Sequence, residues 1–128
     1  MDRIASAWLI RRFIDPAARF SFVDPKTYKK KLNDIRFDMF EGEFTHEDNL
    51  CTFEVLVAWN GVKDRGLKTI AEVVHDIDLK NSRYGHEEAP GIARLIDGIT
   101  LRHTDDAKRL EEGFSLFDNL YAQFRRGQ

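Results

Sequence analysis

Residues 3–15 read RIASAWLIRRFID. At 100° per residue this segment is a helix with apolar side chains on every side, and such a helix is normally buried. Yet it carries three arginines. On the wheel Arg11 falls between Ala7 and Ile4, and Arg12 between Trp8 and Ala5. Burying an unpaired cation costs several kcal/mol, which is what a small domain has to spare. The chain must therefore fold with this helix in its core and give each guanidinium an edge, a carboxylate or an anion.

The three arginines differ in what they can reach. Arg3 lies in the first helical turn, where free backbone N–H groups and the helix dipole favour an anion. Its planar fork suits a tetrahedral oxyanion. Arg11 lies about 80° from Arg3, whereas Arg11 and Arg12 diverge by about 100°. Adjacent arginines therefore do not clamp one small anion together. Arg3, Arg11 and Arg12 are the oxyanion-binding candidates. Arg3 leads, Arg11 is the better companion, and Arg12 is expected to pair with a carboxylate in the core or at its edge.

The rest of the chain alternates between two periodicities. The first helix should stop at Asp15-Pro16. ARFSFV, around Phe20 and Phe22, and IRFDMF, with Ile35, Phe37 and Met39 on one face, read as strands. Between them Asp24-Pro25 opens a short basic helix, KTYKKKL. A helix follows from Thr52 to Asn60-Gly61, and a longer one from about Leu67 to Leu79 with Leu67, Ile70, Val74 and Ile77 as its stripe. Pro90 starts another, carrying Ile92, Leu95, Ile96 and Ile99. Thr104 is expected to cap the last helix, where Ala107, Leu110, Phe114, Phe117, Tyr121 and Phe124 step by threes and fours. The expected fold is α+β: one mainly helical domain, residues 1–128, with a small two- to three-stranded sheet in the N-terminal half.

Composition removes several function classes. The chain has 128 residues, 42% hydrophobic and 33% charged, as a folded globular domain does. Its net charge of −2 lacks the basic excess of a nucleic-acid binder. The single cysteine, Cys51, excludes an internal disulfide and an all-cysteine zinc site. The N-terminal segment lacks a signal-peptide layout, and its apolar run is too short to span a bilayer. A cytoplasmic protein without a membrane partner is expected.

Two acidic segments hold histidines. In EVVHDID, Glu72, His75 and Asp78 (or Asp76) are spaced i, i+3, i+6 along one helix strip. Glu-x-x-His is the spacing that projects two metal ligands inward in carboxylate-bridged helical sites. In EGEFTHEDNLCTFE, His46 stands among Glu43, Glu47 and Glu54. His46, Glu54, His75 and Asp78 are the candidate ligands for a divalent metal, and imidazole with carboxylate suits Zn, Mn or Fe. A solvated acidic helix face, and a histidine raised in pKa by acidic neighbours, would give the same letters.

DRIASAWLIRRFIDP, RFDMFEGEFTHEDNLCTFEVL, IAEVVHDIDLK and APGIARLIDGI, taken in order, resemble the chromate-resistance domain at the C-terminal end of ChrB-type proteins. The resemblance runs from Asp2 to about Phe124. It implies a chromate-responsive regulator encoded beside a chromate efflux pump. It also implies that Arg3, with Arg11 or Arg12, and His46 take part in sensing. Members of this family continue upstream with another domain, so contact with DNA is expected only through a domain outside these residues.

The expected function is that of a chromate resistance protein domain: an oxyanion-sensing, metal-binding regulatory domain controlling chromate efflux. Chromate or a similar oxyanion is the expected partner, and no catalytic residue is assigned. Two other readings stay open. One is a His/carboxylate metalloenzyme of unidentified reaction. The other is a helical interaction domain whose aromatic last helix faces a second copy in a homo-oligomer.

Overall fold

The computed structural model describes residues 2–20, 51–61, 63–79 and 84–126. Five α-helices account for most of them: α1 (Asp2–Leu9), α2 (Thr52–Asn60), α3 (Arg65–Leu79), α4 (Ala89–Arg102) and α5 (Asp106–Phe124). A π-helical turn, Ile10–Ile14, continues α1 and is closed by the Asp15 N–H on the Ile10 carbonyl at 2.7 Å. Asp15 then turns extended, its carboxylate accepts the Ala17 N–H, and Pro16 ends the helical path.

The expected sheet is corrected. Among the described residues there is no strand, and the fold they form is all helical. Ala18 to Phe20 run without regular structure. Phe20 packs edge-on against Phe114 of α5, with ring centroids 6.2 Å apart. Among the described residues it meets a helix. The reason is general: short alternation shows that one side of a segment is apolar, not what covers it. Phe22, IRFDMF and KTYKKKL lie outside the described residues.

The ends of the helices are set locally. Gly61 closes α2 in the left-handed region, φ 71°, and its N–H returns to the Val57 carbonyl. The Asp64 carboxylate accepts the N–H groups of Gly66 and Leu67 at the start of α3. Asp105, not Thr104, caps α5, accepting the Ala107 N–H at 2.9 Å.

α1 is the central element, as its all-round apolar surface requires. Ala5, Ser6, Ala7, Trp8 and Leu9 are all buried. α5 packs against α1, α3 and α4, and α2 bridges α1 and α3. The crossing of α1 and α5 is close: a Cβ on Gly113 would overlap Ile4 Cγ2. Trp8 holds the aromatic centre, 5.6 Å from Phe13, 5.7 Å from Phe117, 5.9 Å from Tyr121 and stacked at 6.5 Å on Phe53. Leu110, Phe114 and Phe117, the stripe that read as core or oligomer face, are buried in this core. Among the described residues no helix is long and apolar enough to cross a membrane.

Candidate functional site

The π-turn and α5 together shape an open cleft of about 870 Å³. Arg11, Arg12 and Phe20 line one side; Thr104 to Ala107, Leu110, Glu111, Phe114, Ser115 and Asp118 line the other. The two arginines are treated differently. Arg12 sets its fork on Asp118, Nε to Oδ1 at 3.0 Å and Nη2 to Oδ2 at 2.9 Å. Trp8 Nε1 donates to the same Oδ1 at 2.8 Å. The hydrogen bonds from Arg12 hold the Asp118 carboxyl below its usual range; burial opposes this and the Trp8 bond assists. The same bonds raise Arg12.

Arg11 is half-buried between aromatic rings, its guanidinium carbon 5.2 Å from the Phe20 centroid and 5.8 Å from that of Phe114. Nη2 donates to the Ala18 carbonyl. Its Nε is buried without a hydrogen-bond partner, and among the described residues it forms no ion pair with a carboxylate. The acids around the cleft are engaged elsewhere. Asp118 is taken by Arg12, Asp106 lies 3.3 Å from Arg109 Nη1, Glu111 lies 3.4 Å from Lys108 Nζ, and Asp105 caps α5.

Arg3 stands on the first turn of α1 and is exposed. It lies about 12 Å from Arg11 along the helix axis, eight residues at about 1.5 Å each. The helix therefore does not bring Arg3 to the mouth of the cleft by its backbone.

The second constellation gathers on α3. His75 is fully buried, and its Nδ1 lies 2.5 Å from Glu54 Oε1 of α2. The same Glu54 oxygen accepts the Cys51 N–H at 3.1 Å in a capping box that starts α2. One carboxylate oxygen thus meets both the start of α2 and the His75 ring of α3. His75 Nε2 is buried without a hydrogen-bond partner among the described residues, and the Tyr84 ring stands edge-on at 5.1 Å.

The i, i+3 pair of α3 does not converge. Glu72 takes His86 Nε2 at 2.9 Å, while His75 turns to Glu54. Asp76 is buried and accepts the N–H groups of Tyr84 and His86. The acidic strip thus pins the approach to α4 and the start of α2.

Of the metal candidates, the structure joins Glu54 and His75. His46 lies outside the described residues. Asp78 stays on α3, and among the described residues no three His, Cys, Asp or Glu side chains gather as metal donors. Sequence reasoning missed Asp118, His86 and Tyr84, and it named Asp76 only as the alternative to Asp78. Asp118 left one trace, a carboxylate directly beside the apolar stripe of the last helix.

A family profile described as ChrB, C-terminal domain, matches residues 1–124. Protein ChrB of Cupriavidus metallidurans (strain CH34) is 35% identical over 126 residues, which cover 97% of this chain. The chain spans 38% of that relative's length. No solved structure matches the chain. Matched along nearly its whole length by both the profile and this relative, the chain belongs to the chromate-resistance family, as a ChrB C-terminal domain.

Proposed function

We propose that this domain senses chromate or a similar tetrahedral oxyanion and regulates chromate efflux, acting in the cytoplasm. One observation carries the reading: Arg11 is a half-buried cation in a cleft, with a buried donor unmet and no carboxylate partner among the described residues. A guanidinium in that condition favours an incoming anion over water, because its own hydration is already reduced. Phe20 and Phe114 hold it by cation–π contact and compete for none of its hydrogen bonds. Arg12 lines the same cleft but keeps its fork on Asp118. Arg3 supports the approach of anions from the start of α1. The regulatory output, including any contact with DNA, falls to parts of a longer protein, since the relative is more than twice this length.

Calorimetry of the purified chain with chromate, sulfate and phosphate tests this. Chromate should release binding heat, and Arg11→Ala should weaken it by roughly tenfold or more. No heat with chromate, or an unchanged affinity in Arg11→Ala, overturns the reading.

A second reading rests on His75. A carboxylate on Nδ1 with Nε2 left open is the arrangement that orients a metal-ligating imidazole. In this reading Glu54 positions His75 rather than ligating. A divalent metal, Zn, Mn or Fe, would take Nε2 together with His46 or Asp78. Elemental analysis after reconstitution of metal-stripped protein decides it. Stoichiometric metal that is lost in His75→Ala supports it, and no uptake sinks it.

A further inference from the structure

We infer that Tyr84, Gly85 and His86 form a strap that closes over His75 and lifts as a unit while the helices stay folded. Lifting it opens His75 Nε2 to small solutes. Three sets of observations carry this.

The first is what the strap covers. His75 is fully buried and its Nδ1 is held by Glu54 of α2. Its Nε2 has no hydrogen-bond partner among the described residues. The Tyr84 ring stands edge-on to the imidazole, 5.1 Å between centroids, and is itself 37% exposed. One tyrosine thus reaches from a fully buried ring to solvent, so moving it uncovers that ring.

The second is how the strap is held. Asp76, the buried neighbour of His75 on α3, accepts the Tyr84 N–H on Oδ1 at 3.0 Å and the His86 N–H on Oδ2 at 3.3 Å. Gly85 between them has φ 63°, in the left-handed region that glycine adopts without strain. The His86 ring ties the far end of the strap back to α3, with Nε2 2.9 Å from Glu72, and its Nδ1 lies 3.4 Å from Glu88. The His86 carbonyl accepts the Ala89 N–H where α4 begins.

The third is energetic. Tyr84, Gly85, Glu87 and Glu88 are exposed, so the strap buries little apolar surface of its own. A segment held mainly by polar ties near the surface opens locally at lower cost than the whole fold. The closed strap also leaves a buried imidazole nitrogen unmet, and water satisfies that nitrogen once the strap lifts. The closed state therefore lacks one hydrogen bond that the open state makes.

As an entry for a metal, the strap rests on the second reading above. The lifting itself does not, because metal uptake and lifting are measured separately.

Acylation by diethyl pyrocarbonate, assigned to each histidine by peptide mass spectrometry, tests it on the metal-stripped 128-residue chain. Wild-type His75 should react roughly tenfold or more slowly than free N-acetylhistidine, at a rate that low urea leaves unchanged, because local opening exposes little surface. Gly85→Ala adds a methyl group that meets nothing within 4 Å, yet it strains the left-handed turn. It should speed the reaction of His75 roughly fivefold or more. Tyr84→Ala removes the cover and should speed it roughly tenfold or more. His103, at the other end of α4, should keep its rate in both variants. Circular dichroism confirms the fold of each variant. The inference is overturned by a His75 that reacts only once urea unfolds the chain, or by one as reactive in the wild type as N-acetylhistidine. It is equally overturned if either variant speeds His75 no more than it speeds His103.

Discussion

Arg12 and Asp118 are 106 residues apart in sequence and share two parallel hydrogen bonds, at 3.0 and 2.9 Å. Trp8, from the centre of the core, donates a third to the same carboxylate. One surface-facing acid thus joins the π-turn, α1 and α5. It also explains how a buried apolar helix tolerates Arg12: the helix stays in the core and the guanidinium leaves it sideways.

Asp118→Asn should destabilise the fold by about 1–2 kcal/mol, mostly through the Trp8 bond and the fork geometry, since the half-exposed ion pair itself is screened by water. The pH dependence has a fixed sign. The folded-state pKa of Asp118 is depressed, so its contribution is present above the ordinary aspartate value, about 3.9. That contribution is lost as pH falls through the lower folded value. Urea midpoints for wild type and Asp118→Asn should differ at neutral pH and converge toward pH 2–3.

The carboxylate–histidine pairs of α3 form a matched comparison. Glu54→Ala leaves a fully buried His75 without its Nδ1 partner and removes the α2 capping box, so about 2–4 kcal/mol should be lost. Glu72→Ala breaks the partly exposed His86 pair and should cost about 0–1 kcal/mol. Equal losses in chemical denaturation would contradict the difference in burial.

Gly113→Ala drives a methyl group into Ile4 at the α1–α5 crossing and should cost about 1–3 kcal/mol. Ile4→Ala opens the space. The double variant should therefore lose less stability than the two single losses added together, in the same denaturation assay.

Tyr121 donates its hydroxyl to Asp64 at 2.6 Å, joining the end of α5 to the start of α3. Burial, then the Asp64 bond, raises its pKa. A raised folded-state value means the contribution is complete below the ordinary tyrosine pKa, about 10, and is lost as pH rises through the folded value. Tyr121→Phe should cost about 1 kcal/mol at neutral pH, with the gap closing in alkaline buffer. Thermal melts across pH 7–11 report it.

The helices from Thr52 onward were legible because their signals are local. Gly61 needs the left-handed region, Pro90 suits a first turn, and stripes of Ile, Leu and Phe repeat at helical spacing. The cap of α5 was misplaced by one residue because Thr104 and Asp105 are both good caps, and only the backbone selects between them. The sheet was misread because Phe20 alternates like a strand residue and packs on a helix. The candidate site was legible in residue type but not in pairing. Glu72 and His75 have metal-ligand spacing, yet each finds its partner on another segment.

Sequence by itself determined that the first helix enters the core, where Ala5 to Leu9 are buried, since no other place suits a helix apolar all round. It placed the helices from Thr52 onward to within a residue or two, and through long ordered motifs it determined the family. What became of the arginines was decided by tertiary structure alone. Arg12 met an aspartate from the far end of the chain, while Arg11 was left between two rings with a donor unmet. Local spacing sets the direction in which a side chain leaves its helix. Only the packing of distant helices decides what waits there, because a charge takes its partner through space and not along the chain.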